Sequence, residues 1–102
     1  MILVYITFPN KKSASRICDT LVREKLAACA NIFPIHSIYR WKNKIEKTNE
    51  HVALVKTSEK NYEKIEKRVR ALHPYELPAI FAIPVARGYG KYLRWAEESS
   101  QA

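Results

Sequence analysis

The chain opens on an almost unbroken apolar, β-branched and aromatic run, Ile2 to Phe8 (ILVYITF). A run of this kind predicts a strand covered on both faces. Asn10 and Ser13 offer caps for a following helix. Ala14, Ile17, Cys18, Leu21 and Val22 then recur at helical spacing, with Arg16, Asp19, Arg23 and Glu24 between them, which predicts a helix to about Leu26. From Cys29 the pattern changes to alternation, with Phe33, Ile35, Tyr39 and Trp41 on one parity. Pro34 lacks an N–H, so this strand belongs at a sheet edge or carries a bulge. The segment WKNKI reads as a hairpin tip, with Asn43 able to take a positive φ. The return strand begins polar (IEKTNEH) and becomes apolar at Val52 to Val55, ahead of Lys56 and Thr57. Ser58 is a candidate N-cap for a second helix that carries Tyr62, Ile65, Val69 and Leu72 on one face and stops at Pro74. Residues 79–85 (AIFAIPV) form a last strand. Gly88 and Gly90 mark a loop, and Tyr92, Leu93 and Trp95 suggest a short closing helix.

The order β-α-β-β-α-β plus a terminal helix predicts an α+β, ferredoxin-like split βαβ domain over residues 1–102, with two helices on one face of an antiparallel sheet. That arrangement leaves a surplus. Strands 2–8 and 79–85 are apolar on both faces, whereas an open antiparallel sheet shows polar residues to solvent on one. The hairpin adds to it. Fourteen residues from Cys29 to Lys42 span roughly 45 Å if straight, against a radius of gyration of about 13 Å for a core this size. An isolated two-stranded arm is marginal in water, so Tyr39, Trp41 and Ile45 near its tip require an apolar partner. Another copy of the chain is the economical one.

Composition narrows the class. At 102 residues, 47% hydrophobic and 27% charged, the chain reads as one globular domain able to bury a core without staples. No apolar run approaches a membrane span. The N-terminus has no basic residue ahead of its apolar stretch and no small-residue cleavage site, so a first strand is expected there and not a signal peptide. Cys18 and Cys29 have neither C-x-x-C spacing nor a disulfide framework and read as reduced thiols of a cytoplasmic protein. The net charge of +8 would draw anions, but the basic residues are dispersed among acids, as in EKNYEKIEKRVR, and no specific nucleic-acid binding is expected. No nucleophile–base pair, glycine-rich phosphate loop or closed metal-ligand set is present, and no enzymatic reaction is expected.

Seven motifs in order give the sequence a family likeness. They are Thr7-Phe8-Pro9, Leu26-Ala27-Ala28-Cys29-Ala30-Asn31, Tyr39-x-Trp41, Glu50, Leu54-x-Lys56-Thr57, His73-Pro74-Tyr75-Glu76-x-Pro78 and Tyr92-Leu93-x-Trp95. Over essentially its whole length the chain resembles the CutA family of divalent-cation tolerance proteins. The resemblance implies a ferredoxin-like subunit in a compact homotrimer, similar in architecture to PII signalling proteins, with the sheets facing inward. It also implies a cytoplasmic protein linked to copper and other divalent cations, without an established reaction or an obligatory cofactor. Two positions depart from the family pattern. Asn43 stands where glycine is usual at the hairpin tip. Where some metal-binding members pair a first-strand cysteine with two adjacent histidines, this chain has Ile6, Leu72 and His73.

The residues leave the site open between two readings. His73 either stands against a helix C-terminus ahead of a stop, or ligates a soft metal helped by Glu76, by Cys29 if the fold brings it near, or by another subunit. Surface His36 and His51 are potential adventitious copper binders. Glu50 and Lys56 share one parity of a strand; they either serve an ion pair or interface, or line an inter-subunit cleft with Tyr39, Trp41, Tyr75 and Glu76 that holds an anion or metabolite. The cleft rests on analogy with PII-like trimers.

Overall fold

Alternation along the first strand decides how the molecule is layered. In the computed structural model, which describes residues 1–102, β1 (Ile2–Phe8) buries every second side chain: Ile2, Val4, Ile6 and Phe8. Against that face pack Ala14, Ile17, Cys18 and Leu21 of α1 (Lys11–Arg23) and Ile65 and Val69 of α2 (Tyr62–Leu72). The rest of the sheet is β2 (Cys29–Trp41), β3 (Lys44–Thr57) and β4 (Ile80–Pro84), and α3 (Gly90–Ser99) closes the chain. Strand order is β2-β3-β1-β4, with every pairing antiparallel. This is the ferredoxin-like split βαβ arrangement.

The predicted elements form with small shifts that have local causes. Asn10 caps α1, its Oδ1 accepting the Ser13 N–H at 2.8 Å. The helix stops at Arg23, three residues short of the expected Leu26, because Lys25 turns left-handed at φ 59°. The Leu26 N–H then donates to the Leu21 carbonyl and the Lys25 N–H to that of Val22, the bond pair of a Schellman cap. Ser58 makes no side-chain cap; the chain first forms a 3-10 turn, Glu59–Asn61, and α2 begins only at Tyr62. His73 follows α2 with extended dihedrals (φ −76°, ψ 137°), the conformation that Pro74 imposes on its predecessor.

Pro34 does lie on an edge strand, opposite His51 of β3. At the hairpin tip both Lys42 (φ 50°) and Asn43 (φ 67°) are left-handed, as a two-residue type I′ turn requires. β1 pairs with β3 only as far as Phe8 opposite His51. Beyond that point Ile35–Trp41 and Lys44–Glu50 pair only with each other. This arm gives the molecule its 45 Å long axis, against 26 and 21 Å across.

One buried amide ties three segments together. Asn61, 1% exposed, donates through Nδ2 to the Leu26 carbonyl at 3.2 Å and to the Ser100 carbonyl at 2.6 Å. The Thr57 hydroxyl also donates to Leu26 O, at 2.6 Å. The loop after α1, the end of β3 and the end of α3 therefore meet at one side chain. Cys18 lies in the core, where burial pushes its thiol up to about 12.

Asn61→Ala removes a donor from buried carbonyls, so a loss of about 2–3 kcal/mol is expected. Lys25→Gly relieves the left-handed position, and a gain of about 0.5–1 kcal/mol is expected. Urea unfolding with unchanged slope measures both; a neutral Asn61→Ala would contradict the anchoring role.

Candidate functional site

Alternation also creates a second sheet face, which no helix of this chain fully covers. Leu3, Tyr5 and Thr7 of β1 point to it, as do Phe81 and Ile83 of β4 and, by register, Cys29, Phe33, Tyr39, Trp41, Glu50 and Lys56. Phe33, Tyr39, Phe81 and Ile83 are exposed there, Phe81 by 48%, and Tyr5 stacks on Phe81 with centroids 4.8 Å apart.

At one end of this face the hairpin arm and the loop entering β4 form an open cleft of about 600 Å³. Tyr5, Tyr39, Arg40, Trp41, Glu50, Tyr75 and Glu76 are among the residues that line it. The volume is in the range of small-molecule sites. Glu50 is the chemical centre. It is only 7% exposed, yet it carries a carboxylate whose Oε2 accepts the Tyr75 hydroxyl at 2.5 Å. Burial first, and then this carboxylate, hold the Tyr75 phenol far above its ordinary 10, so it serves as a fixed donor.

His73 sets the loop in place. Its Nε2–H donates to the Thr7 carbonyl at 2.6 Å, and its Nδ1 accepts the Tyr75 N–H at 3.0 Å. The ring stacks on Phe8 at 4.9 Å. This pattern requires the neutral imidazole, since a protonated ring could not accept from Tyr75. Burial lowers the His73 pKa below its usual 6.5, and the Thr7 carbonyl and the Glu50 carboxylate oppose the shift only in part. The expected charge–dipole partnership at the helix end is thus replaced by a neutral bridge between β1 and the loop.

The structure gathers some of the anticipated residues and separates others. Tyr39, Trp41, Glu50, Tyr75 and Glu76 share the cleft. Lys56 does not: it donates to the Tyr92 hydroxyl at 3.0 Å, roughly 20 Å along β3 from Glu50. Two residues six positions apart share a face but not a site. Cys29 is opposite Lys56, at the far end of β1 from Thr7, so within one chain Cys29 cannot join His73 and Glu76 around an ion. Both nitrogens of His73 are already engaged. No three His, Cys, Asp or Glu side chains gather in the chain as a metal group. Sequence reasoning passed over Tyr5, although its parity on the second face of β1 carried the signal. Nothing local marks the Thr7 carbonyl.

Together these features define a class: a split βαβ subunit with an uncovered sheet face, a projecting hairpin and an open cleft at the hairpin's root. A family model described as CutA1 divalent ion tolerance protein matches residues 2–99. The chain belongs to the CutA family. It is 43% identical to the divalent-cation tolerance protein CutA of Archaeoglobus fulgidus over 96 residues, 94% of each chain. It is 38% identical to the chloroplastic protein CutA of Arabidopsis thaliana over 101 residues, covering 98% of this chain but 56% of that protein's length. Among solved structures, the PII-like protein CutA from Nostoc superposes with a TM-score of 0.92 at 31% identity, covering 99% of this chain and 98% of that one.

Tyr75→Phe leaves the buried Glu50 carboxylate without its donor, and a loss of about 1.5–3 kcal/mol is expected from urea unfolding. Because the folded-state pKa of His73 lies below 6.5, the unfolded chain binds this proton more readily. Stability from this group is therefore complete above about pH 6.5 and is lost as pH falls through the folded-state value. His73→Gln should flatten that part of the profile; an unchanged slope would assign it to other groups.

Proposed function

We propose that this protein works as a cytoplasmic homotrimer in divalent-cation tolerance, binding divalent cations, copper among them, weakly and without an obligatory cofactor or a catalysed reaction. The observation that carries the assembly is the apolar surface left open by one chain. Ile38 (64% exposed), Tyr39, Trp41 and Ile45 on the arm add to Phe33, Phe81 and Ile83 on the sheet. Surface of this extent on two connected elements marks an interaction site. A second and third copy of the same chain cover it with main-chain pairing along the edge strand β2 and apolar packing on the sheet. The tolerance role is supported by the names of the relatives, and the two free thiols suit a reducing compartment. Burying the sheet face also removes the aromatic platform that a nucleic-acid module of this architecture would need.

A second reading is favoured by the cleft itself. A buried carboxylate paired with a tyrosine and surrounded by aromatic side chains suits a small ligand held at the subunit boundary, as in a PII-like regulator. Native mass spectrometry of protein purified without added metal separates the two readings: a retained metabolite that Glu50→Gln and Tyr75→Phe release favours the regulator, whereas cation adducts alone favour the first reading.

Light scattering during size exclusion at micromolar concentration should return three times 11.9 kDa; a stable monomer would overturn the assembly. Any binding to nucleic acid should fade steeply between low and physiological salt, as counterion release dictates. A sequence-selective complex that survives physiological salt would contradict this reading.

A further inference from the structure

The reverse side of the hairpin root carries a pair of histidines that the cleft does not use. His36 pairs across the ladder with Asn49, and His51 with Pro34, so the two imidazoles are diagonal neighbours on the face that also carries Phe8. Diagonal Cβ atoms on one face are separated by somewhat less than about 7–8 Å, and metal–imidazole bonds are about 2.0–2.1 Å. At that spacing, two rings turned toward one point would reach a single ion. Both line one open cavity of about 510 Å³, together with Pro9, Asn10, Asn49 and Glu50.

The two rings differ in how they are held. Nδ1 of His36 lies 3.0 Å from Oδ1 of Asn49. An amide oxygen only accepts, so Nδ1 carries the proton and Nε2 presents its lone pair. This is the arrangement by which a second residue orients a metal-ligating histidine. His51 lacks such a partner: its Nδ1 is buried without a hydrogen bond, a polar atom left unsatisfied in the free chain. One ring is oriented by a hydrogen bond and the other is not, and both border the same cavity.

We propose that His36 and His51 form a divalent transition-metal site, suited to Cu(II), Zn(II) or Ni(II), with water completing the coordination. Imidazole is the ligand these ions share, and two protein ligands make the binding weak and exchangeable. The site rests on the cation-tolerance reading for its biological meaning, and its existence is tested by binding alone.

The test is calorimetric titration of the intact assembly with Cu(II) in a non-coordinating buffer, with electron paramagnetic resonance of the loaded protein. Wild type, His36→Ala, His51→Ala and a Glu76→Gln variant are compared at equal oligomeric state. Loss of the main event in each single histidine variant, its survival in the glutamate variant, and a spectrum showing both imidazole nitrogens are expected. Retention in either histidine variant, or a spectrum with one imidazole, overturns the site. If binding is lost in the glutamate variant and kept in both histidine variants, the pair is wrong while cation binding stands. A wild type that binds no copper removes both.

Discussion

Everything in this molecule is registered on β1, the strand whose side chains from Ile2 to Ile6 are all apolar or aromatic. Alternation splits that run between two faces, and the chain supplies a full helical cover for only one. Ile2, Val4, Ile6 and Phe8 go to the core with α1 and α2; Leu3 and Tyr5 go to the other side, beside exposed Phe81 and Ile83. A strand cannot be apolar on both faces in a free subunit without leaving surface that favours association. The hairpin has the same requirement, because beyond His51 its two strands have only each other.

The cleft arises where that uncovered face meets the end of β1. Glu50 lies one residue before the point at which β3 leaves β1, so its carboxylate turns inward at the root of the arm. A buried carboxylate needs donors, and Tyr75 supplies one. Tyr75 can do so because His73, in neutral form, fixes both the loop backbone and the end of β1. The histidine is therefore a bracket, and the donor–acceptor pair it holds is the chemically distinctive part of the site. The same root carries His36 and His51 on its opposite side.

Much of this was legible from local pattern. Period-two and period-3.6 spacing announced each strand and helix, Pro34 announced an edge, and the tip residues announced a tight turn. The doubly apolar runs announced an uncovered face. The misplacements were those that local pattern does not encode: a left-handed Lys25 that ends α1 early, and an Asn61 whose amide serves distant carbonyls in place of a cap. Parity put Glu50 and Lys56 on one face, but distance along the strand put them at different ends of it.

What the sequence determined by itself was the set of elements, their order and the faces they present, because these follow from the periodicity of apolar residues within a dozen positions. Which side chains meet was decided only by tertiary structure. Tyr75 reaches Glu50 across 25 residues and His73 reaches Thr7 across 66. Those contacts depend on strand register and on where a loop crosses a sheet, which are properties of the assembled core. The place of His73 as a bracket between strand and loop was set there too, by a carbonyl and an N–H that no side-chain pattern reveals.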